Sequence, residues 1–435
     1  MPQYYSPGVY VEEVPSSNAP IAGASTSTAG FVGYVDDKVR MPAQPGRYKD
    51  KKDTRSNPDG TSGAQDLLVP LPFALAAAGV PVLITSWEQY KNTFGDFQWA
   101  LPLPKDASVE LKADYAANAA NYNAHPEYNS ALAHAVYGFF NNGGSRVWVV
   151  RTTAAPVAKT LADALNALGA VDEIALVAVP GLVDVDLQKQ VYQHCETMGD
   201  RFAILDATAS DAVAMTPDAI APNLGTSNYA ALYYPWIQVA DPATGNKAIV
   251  APSGHIAGLY ARVDGEKGVH KAPANEVIRG ALNLARRVSK AEQDGLNPAG
   301  INIIREFNGN IKVWGARTLG GDANTEWKYI NVRRTFLYLR KSIDNGTQWA
   351  VFEPNTPALW QKIVRNVNAF LTNVWRAGAL FGATAGEAFY VKCDATTNPP
   401  ELREMGQVVT EIGVSVVRPA EFVIFRISQW AGPGK

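Results

Sequence analysis

At 435 residues the chain is long enough for two or three domains with substantial cores, and its 47% hydrophobic content with 36 glycines and 28 prolines reads as globular and loop-rich. A formal charge of −2 excludes any global electrostatic pull toward nucleic acid or an acidic membrane. Two cysteines, Cys195 and Cys393, cannot build a disulfide framework, so a reducing cytoplasm suits the chain.

The first residues carry neither a basic n-region nor an apolar h-region, and the apolar stretch from Leu67 to Ile84 is broken by Pro70, Pro72, Gly79 and Pro81. The expectation is a soluble protein made without a secretion signal. Val9, Tyr10, Val11, Glu12, Glu13 and Val14 form a short extended run rich in β-branched and aromatic residues. A small-residue tether with no core-forming period follows, from Pro15 to Gly30. Fully extended, it spans at most roughly 50 Å.

Residues 40–65 alternate Arg47, Lys49, Lys51, Lys52 and Arg55 with acidic residues, Gly and Pro, and read as a solvated surface loop. Val82 to Ile84 predicts a strand. Ser86 has capping-box spacing ahead of a helix through Tyr90 and Phe94, stopped by Gly95. Residues 99–123 form a second excursion without a clear element. Leu132, Val136, Phe139 and Phe140 then make one helical face, ended by Asn142-Gly143-Gly144.

From there, strands at Val147–Val150, Ile174–Val179 and Phe202–Leu205 alternate with helices at Leu161–Leu168 and Leu187–Met198. Such alternation predicts a largely parallel sheet covered on both faces. Tyr229 to Val239 and Lys247 to Val250 flank a turn and suggest an edge hairpin. Helices are expected around Ile256–Val263 and Val277–Val288. After Asn297 the architecture changes to α+β. Ile301–Phe307 and Ile311–Trp314 flank Asn308-Gly309, a strong hairpin signal. Helices follow at Tyr329–Ile343 and from Pro357 to about Leu380. Strands close the chain at Val408–Val417 and Phe422–Trp430. No internal repeat is evident.

Catalytic signatures are missing: no phosphate-cradling Gly-Lys-Ser/Thr loop, no His-Glu-x-x-His, no Cys-x-x-Cys and no Gly-x-Ser-x-Gly. The five histidines lack metal-ligand spacing, so no catalytic residue, metal or cofactor is assigned. Ser253-Gly254-His255 reads as helix-start chemistry. Val179-Pro180-Gly181 and Leu205-Asp206 end strands of the parallel sheet, where ligands often bind, and this keeps an enzyme or ligand-binding protein as the alternative reading. Arg333, Arg334, Arg340 and Lys341 are a second alternative, a basic patch for nucleic acid, against which the charge balance argues. The helix after Pro357 has a wide apolar face, and its polar positions Lys362 and Arg365 have no acidic residue among them. Charge counting leaves two readings there: a solvated face, or a positive ridge docking on an acidic partner.

Long strings in order resemble the sheath subunit of contractile tails (phage-type tails, tailocins and extracellular contractile injection systems). They are Tyr5-Ser6-Pro7-Gly8-Val9-Tyr10-Val11-Glu12-Glu13-Val14; Pro252-Ser253-Gly254-His255 through Asp264; Leu296-Asn297-Pro298-Ala299-Gly300 with Val313-Trp314-Gly315-Ala316-Arg317; and Tyr329-Ile330-Asn331-Val332-Arg333-Arg334 with Val351-Phe352-Glu353-Pro354-Asn355 and Arg418-Pro419-Ala420-Glu421-Phe422-Val423. The resemblance implies a non-enzymatic structural protein that forms stacked six-subunit rings around an inner tube and contracts from a metastable extended state. It implies an N-terminal arm (1–30), an outer α/β domain (31–296) with the 40–65 and 99–123 excursions, and an inner α+β domain (297–435) that both termini join. Strands Val9–Val14 and Phe422, Val423, Ile424, Phe425, Arg426 and Ile427 would be exchanged between subunits. Lys362 and Arg365 would face the tube. Implied partners are sister copies, the inner tube protein, baseplate and terminal cap proteins and sheath paralogues, with no nucleic acid and no membrane insertion. The implied setting is a virion-like particle built in a bacterial cytoplasm and then released or anchored to an envelope.

Overall fold

The computed structural model describes residues 20–37, 39, 41–53, 65–97, 131–242 and 245–426. Among these, the chain divides into two compact units: Ser25–Tyr338 with residues 416–426, and residues 20–24 with Leu339–Ser415.

The larger unit is built on a nine-stranded sheet. Its strands are β1 (Ala29–Tyr34), β4 (Val82–Ile84), β5 (Val147–Thr152), β6 (Leu176–Ala178), β7 (Phe202–Asp206), β8 (Ala230–Tyr234), β11 (Glu276–Val277), β13 (Ile301–Phe307) and β14 (Asn310–Val313), in the order β11-β14-β13-β8-β7-β6-β1-β5-β4. The six central strands from β13 to β5 run parallel, and antiparallel strands close both edges. Side chains alternate between two apolar cores. Phe31, Val149, Ala178, Ile204 and Tyr233 enter one; Val32, Val150, Val177, Leu205 and Leu232 enter the other. This is the period of two that a sheet buried on both faces requires.

Helices α1 (Trp87–Phe94), α2 (Ala131–Asn141) and α5 (Ser253–Lys267) contribute to the first core, and α3 (Ala158–Gly169) and α4 (Val185–Met198) to the second. The helix ends are chemically set. Ser86 Oγ accepts from the Gln89 amide at 3.1 Å to start α1. Gly143, at φ 109°, turns the chain after α2 so that its own amide and that of Gly144 reach the carbonyls of Phe140 and Phe139.

Several expectations are corrected here. The 40–65 stretch is not only loop: β2 (Ala43–Asp53) pairs antiparallel with β3 (Gln65–Pro72). The Tyr229–Val239 run divides at Pro235, which has no amide to donate. β8 stays in the main sheet, while β9 (Ile237–Ala240) lies between β10 (Lys247–Val250) and β12 (Ala281–Leu284) in a three-stranded sheet. The helix expected over Val277–Val288 is absent. Glu276–Val277 pairs with β14 and Ala281–Leu284 with β9, and Gly280 at φ 85° turns the chain between them. Open strand edges outcompete a segment whose glycine weakens any helix. The hairpin after Asn297 forms as expected, with Asn308 and Gly309 both at positive φ. It does not begin a separate α+β body, because β13 lies in parallel register beside β8 in the larger unit. The 99–123 excursion lies outside the described residues.

Helix α6 (Lys290–Leu296) leads into the hairpin, and α7 (Ile330–Thr347) carries the chain from the larger unit into the smaller. The smaller unit is organised by α8 (Pro357–Arg376) and a two-stranded sheet of β15 (Phe389–Lys392) and β16 (Glu411–Val414). Residues 20–24 join it: the Ala24 amide donates to Ser342 Oγ at 2.9 Å, and Ile21 is buried.

Candidate functional site

The C-terminal segment is held at its base and bare beyond it. Within the larger unit, the Glu421 carboxylate accepts four hydrogen bonds. They come from Asn297 Nδ2 at 2.8 Å, Arg317 Nε at 2.8 Å, Arg317 Nη2 at 2.9 Å and the Tyr329 hydroxyl at 2.8 Å. Each partner is positioned by local structure. Asn297 starts the turn of 3-10 helix after α6, closed by Gly300 in the left-handed region. Arg317 and Tyr329 form an isolated antiparallel bridge before α7. The buried Asn302 side chain fixes the Arg317 backbone, accepting from its amide and donating to its carbonyl, both at 2.8 Å. Burial opposes ionisation of Glu421, but the bonds from Arg317, Asn297 and Tyr329 prevail and hold its pKa below the ordinary value. Burial, then the bond to Glu421, pushes the Tyr329 phenol up to about 12. Farther back, Asn331 Nδ2 donates to the Val417 carbonyl at 3.2 Å.

Past Glu421, nothing comparable holds the chain among the described residues. Phe422, Val423, Ile424 and Phe425 are 68%, 68%, 79% and 85% exposed. A strand was expected from Phe422 to Trp430, yet residues 422–426 join no ladder among the described residues. Ile427 and everything after it, like Val9, Tyr10, Val11, Glu12, Glu13 and Val14, lie outside the described residues. Phe422 and Val423 line a cleft of about 1060 Å³ whose other walls include Lys271, Arg305, Phe307 and Trp314. Four consecutive exposed apolar residues form a segment that water disfavours.

In the smaller unit, the expected amphipathic helix is present as α8, ending at Arg376 rather than at Leu380. Leu359, Trp360, Ile363, Val367, Phe370, Leu371 and Val374 are buried. Lys362 and Arg365 lie one turn apart on the polar side, half-buried and exposed respectively, and neither forms an ion pair among the described residues. The closing strand is shorter than expected, Glu411–Val414, and it pairs with β15, a strand the sequence reading did not find. Among the described residues, neither outer edge of this two-strand sheet is paired.

The strand ends that the enzyme reading singled out are tied off by structure. Asp206 accepts from the Gly181 amide at 3.0 Å, the Ser253 amide at 2.8 Å and Ser253 Oγ at 2.7 Å. Burial pushes its pKa up to about 6, against the pull of those bonds. The Ser253 hydroxyl is therefore engaged by a carboxylate, while the His255 ring packs against Gly138 of α2. The basic run at α7 is partly consumed inside the fold. Arg334 forms a buried pair with Asp264 at 2.6 Å, and Arg333 is stacked on Tyr229 and Trp327. Among the described residues no cluster of metal-ligating side chains is found, and no helix is long and apolar enough to cross a membrane.

Sequence reasoning did not find the Glu421 clamp. The signal was present in another form: Asn297, Arg317, Tyr329 and Glu421 all fall within strings that carry the resemblance to contractile tail sheaths. The comparisons with known proteins agree with that resemblance. The phage tail sheath protein central domain matches residues 155–319, and the phage tail sheath C-terminal domain matches residues 322–429. A prophage major tail sheath protein of Pseudomonas aeruginosa strain UCBPP-PA14 is 29% identical over 85% of this chain and 91% of its own. The sheath complex of the PVC extracellular contractile injection system, solved in its contracted state, superposes with a TM-score of 0.70 at 26% identity, over 99% of both chains. The contracted helical sheath of the anti-feeding prophage gives 0.68 at 28% identity, over 97% of this chain and 99% of that one.

Proposed function

Because the chain belongs to the phage tail sheath family, we propose that it is the repeating subunit of a contractile sleeve and not an enzyme. Copies pack as stacked six-membered rings around an inner tube. The sleeve passes from an extended, metastable packing to a shorter, wider one of lower free energy, driving the tube through a target envelope. In this reading the α/β middle of the chain faces outward, while the N-terminal arm and the C-terminal part of the chain form the inner part. Lys362 and Arg365 face the tube, and the baseplate and terminal cap are further partners.

The observation that carries the reading is the apolar segment Phe422–Phe425, exposed in the lone chain and rooted at Glu421. The open-edged β15–β16 sheet supplies the kind of acceptor such a strand needs. Added together, the strand Val9–Val14 of one copy and the strand Phe422–Ile427 of another would extend that sheet in a third copy. Each new backbone hydrogen bond contributes only about 0.5–1.5 kcal/mol, so exchange serves as a link that survives rearrangement rather than as the driving force. Apolar burial between outer parts, at about 25 cal/mol per Å², is the stronger source.

The test is truncation. Chains lacking residues 1–14, or residues 422–435, should remain folded by circular dichroism and fail to form long sleeves in electron micrographs. Normal sleeves from either truncation would refute the linking role.

A further inference from the structure

We infer that Glu421 is the tether through which an exchanged C-terminal strand pulls on its own subunit, passing tension into the central sheet by way of Arg317 and Asn302. The inference rests on the strand-exchange reading above and adds the residue that bears the strain.

The geometry supplies a continuous path. The tail from Phe422 to Arg426 is exposed, with only Phe422 and Val423 against the cleft wall among the described residues. The first firm attachment met along the chain is the Glu421 carboxylate, with its four donors. Two of those bonds are the parallel fork of one guanidinium, an arrangement that resists both displacement and rotation. Arg317 is itself only 3% exposed, and its remaining nitrogen donates to the Asn297 carbonyl at 3.1 Å and to Asp322 at 3.0 Å. Asn302, on β13 and fully buried, grips the Arg317 backbone on both sides and donates to the Leu232 carbonyl of β8 at 3.2 Å. Tension at Glu421 therefore arrives at β13 and β8, the third and fourth strands of a nine-stranded sheet, and not on a surface loop. Among the described residues, the next attachment met behind Glu421 is the single Asn331 bond to the Val417 carbonyl.

Two measurements test this, using Glu421→Ala, Glu421→Gln and the 422–435 truncation. In the purified subunit, amide hydrogen exchange between Val417 and Phe422 should quicken by about an order of magnitude or more in Glu421→Ala, while amides of β7 and β8 keep wild-type rates. Glu421→Gln, which keeps an acceptor oxygen but loses the charge, should fall between. In assembled particles, Glu421→Ala sleeves should form in the extended state and fragment when contraction is triggered. Wild-type sleeves should stay continuous. Unchanged exchange at the tail base, or unbroken contracted sleeves of Glu421→Ala, would overturn the tether. Normal sleeves from the 422–435 truncation would instead overturn strand exchange itself, so the two failures are distinguishable.

Discussion

His255 projects from α5 onto α2 with its ring against Gly138, and its Nδ1 has no hydrogen-bond partner among the described residues. Burial, then the proximity of His134, pushes its pKa down to about 3 from an ordinary 6.5. The unfolded chain therefore takes up a proton near pH 6.5 that the folded chain refuses until about pH 3. Stability should fall as pH drops through that window, with a slope from this group of up to about 1.4 kcal/mol per pH unit. Urea midpoints between pH 7 and 4 measure it, and His255→Gln should flatten the profile. The same helix pair shows where volume decides. A Cβ at Gly138 would lie 2.3 Å from the His255 ring, and one at Gly254 would lie 2.4 Å from the Ala135 Cα. Alanine gains about 1 kcal/mol of helix propensity at either site, but overpacking costs about 1–3 kcal/mol or more. A ring can shift and a backbone in a packed helix cannot. Denaturation should accordingly find Gly254→Ala less stable than Gly138→Ala, with both below wild type.

At the scale of elements, α8 separates into two independent predictions. Leu371 is fully buried, so Leu371→Ala should cost about 2–5 kcal/mol of unfolding free energy. Lys362→Glu with Arg365→Glu touches no internal partner among the described residues and should change stability by less than about 0.5 kcal/mol. On the proposed function, that double variant should nevertheless lose co-sedimentation with the inner tube, and the wild-type interaction should weaken as salt rises. Equal tube binding by both proteins across a salt series would remove these two residues from the tube contact. The amphipathic face of α8 was legible because its period survives whatever it packs against. The four residues of β15 were not, since so short a run becomes a strand only when β16 pairs with it. For the same reason Val277–Val288 read as helix until the edges of β14 and β9 captured it.

For the whole molecule, the proposed strand exchange would make each copy both a donor and an acceptor. A copy truncated after Glu421 still accepts but cannot donate. Mixing it with wild-type chain should therefore shorten sleeves at fractions well below one half, as a chain terminator does. Length distributions from electron micrographs are the readout; sleeves that keep full length at equal mixing would contradict donor–acceptor coupling. On the proposed function, a few cross-strand bonds per junction would hold a sleeve not by strength but by continuity, which one missing donor interrupts.

The residues alone were enough to show that a parallel, two-sided α/β sheet would form, roughly where most of its helices lie, and which long strings tie the chain to contractile sheaths. Those features are local: apolar period, caps, turn residues and contiguous motifs. Only the tertiary structure decided that β13 joins β8, that β1 lies between β5 and β6, and that Asn297, Arg317 and Tyr329 converge on Glu421. Strand order and a four-residue clamp drawn from positions up to 124 residues apart depend on which edges and polar groups meet in space, and no local pattern encodes that meeting.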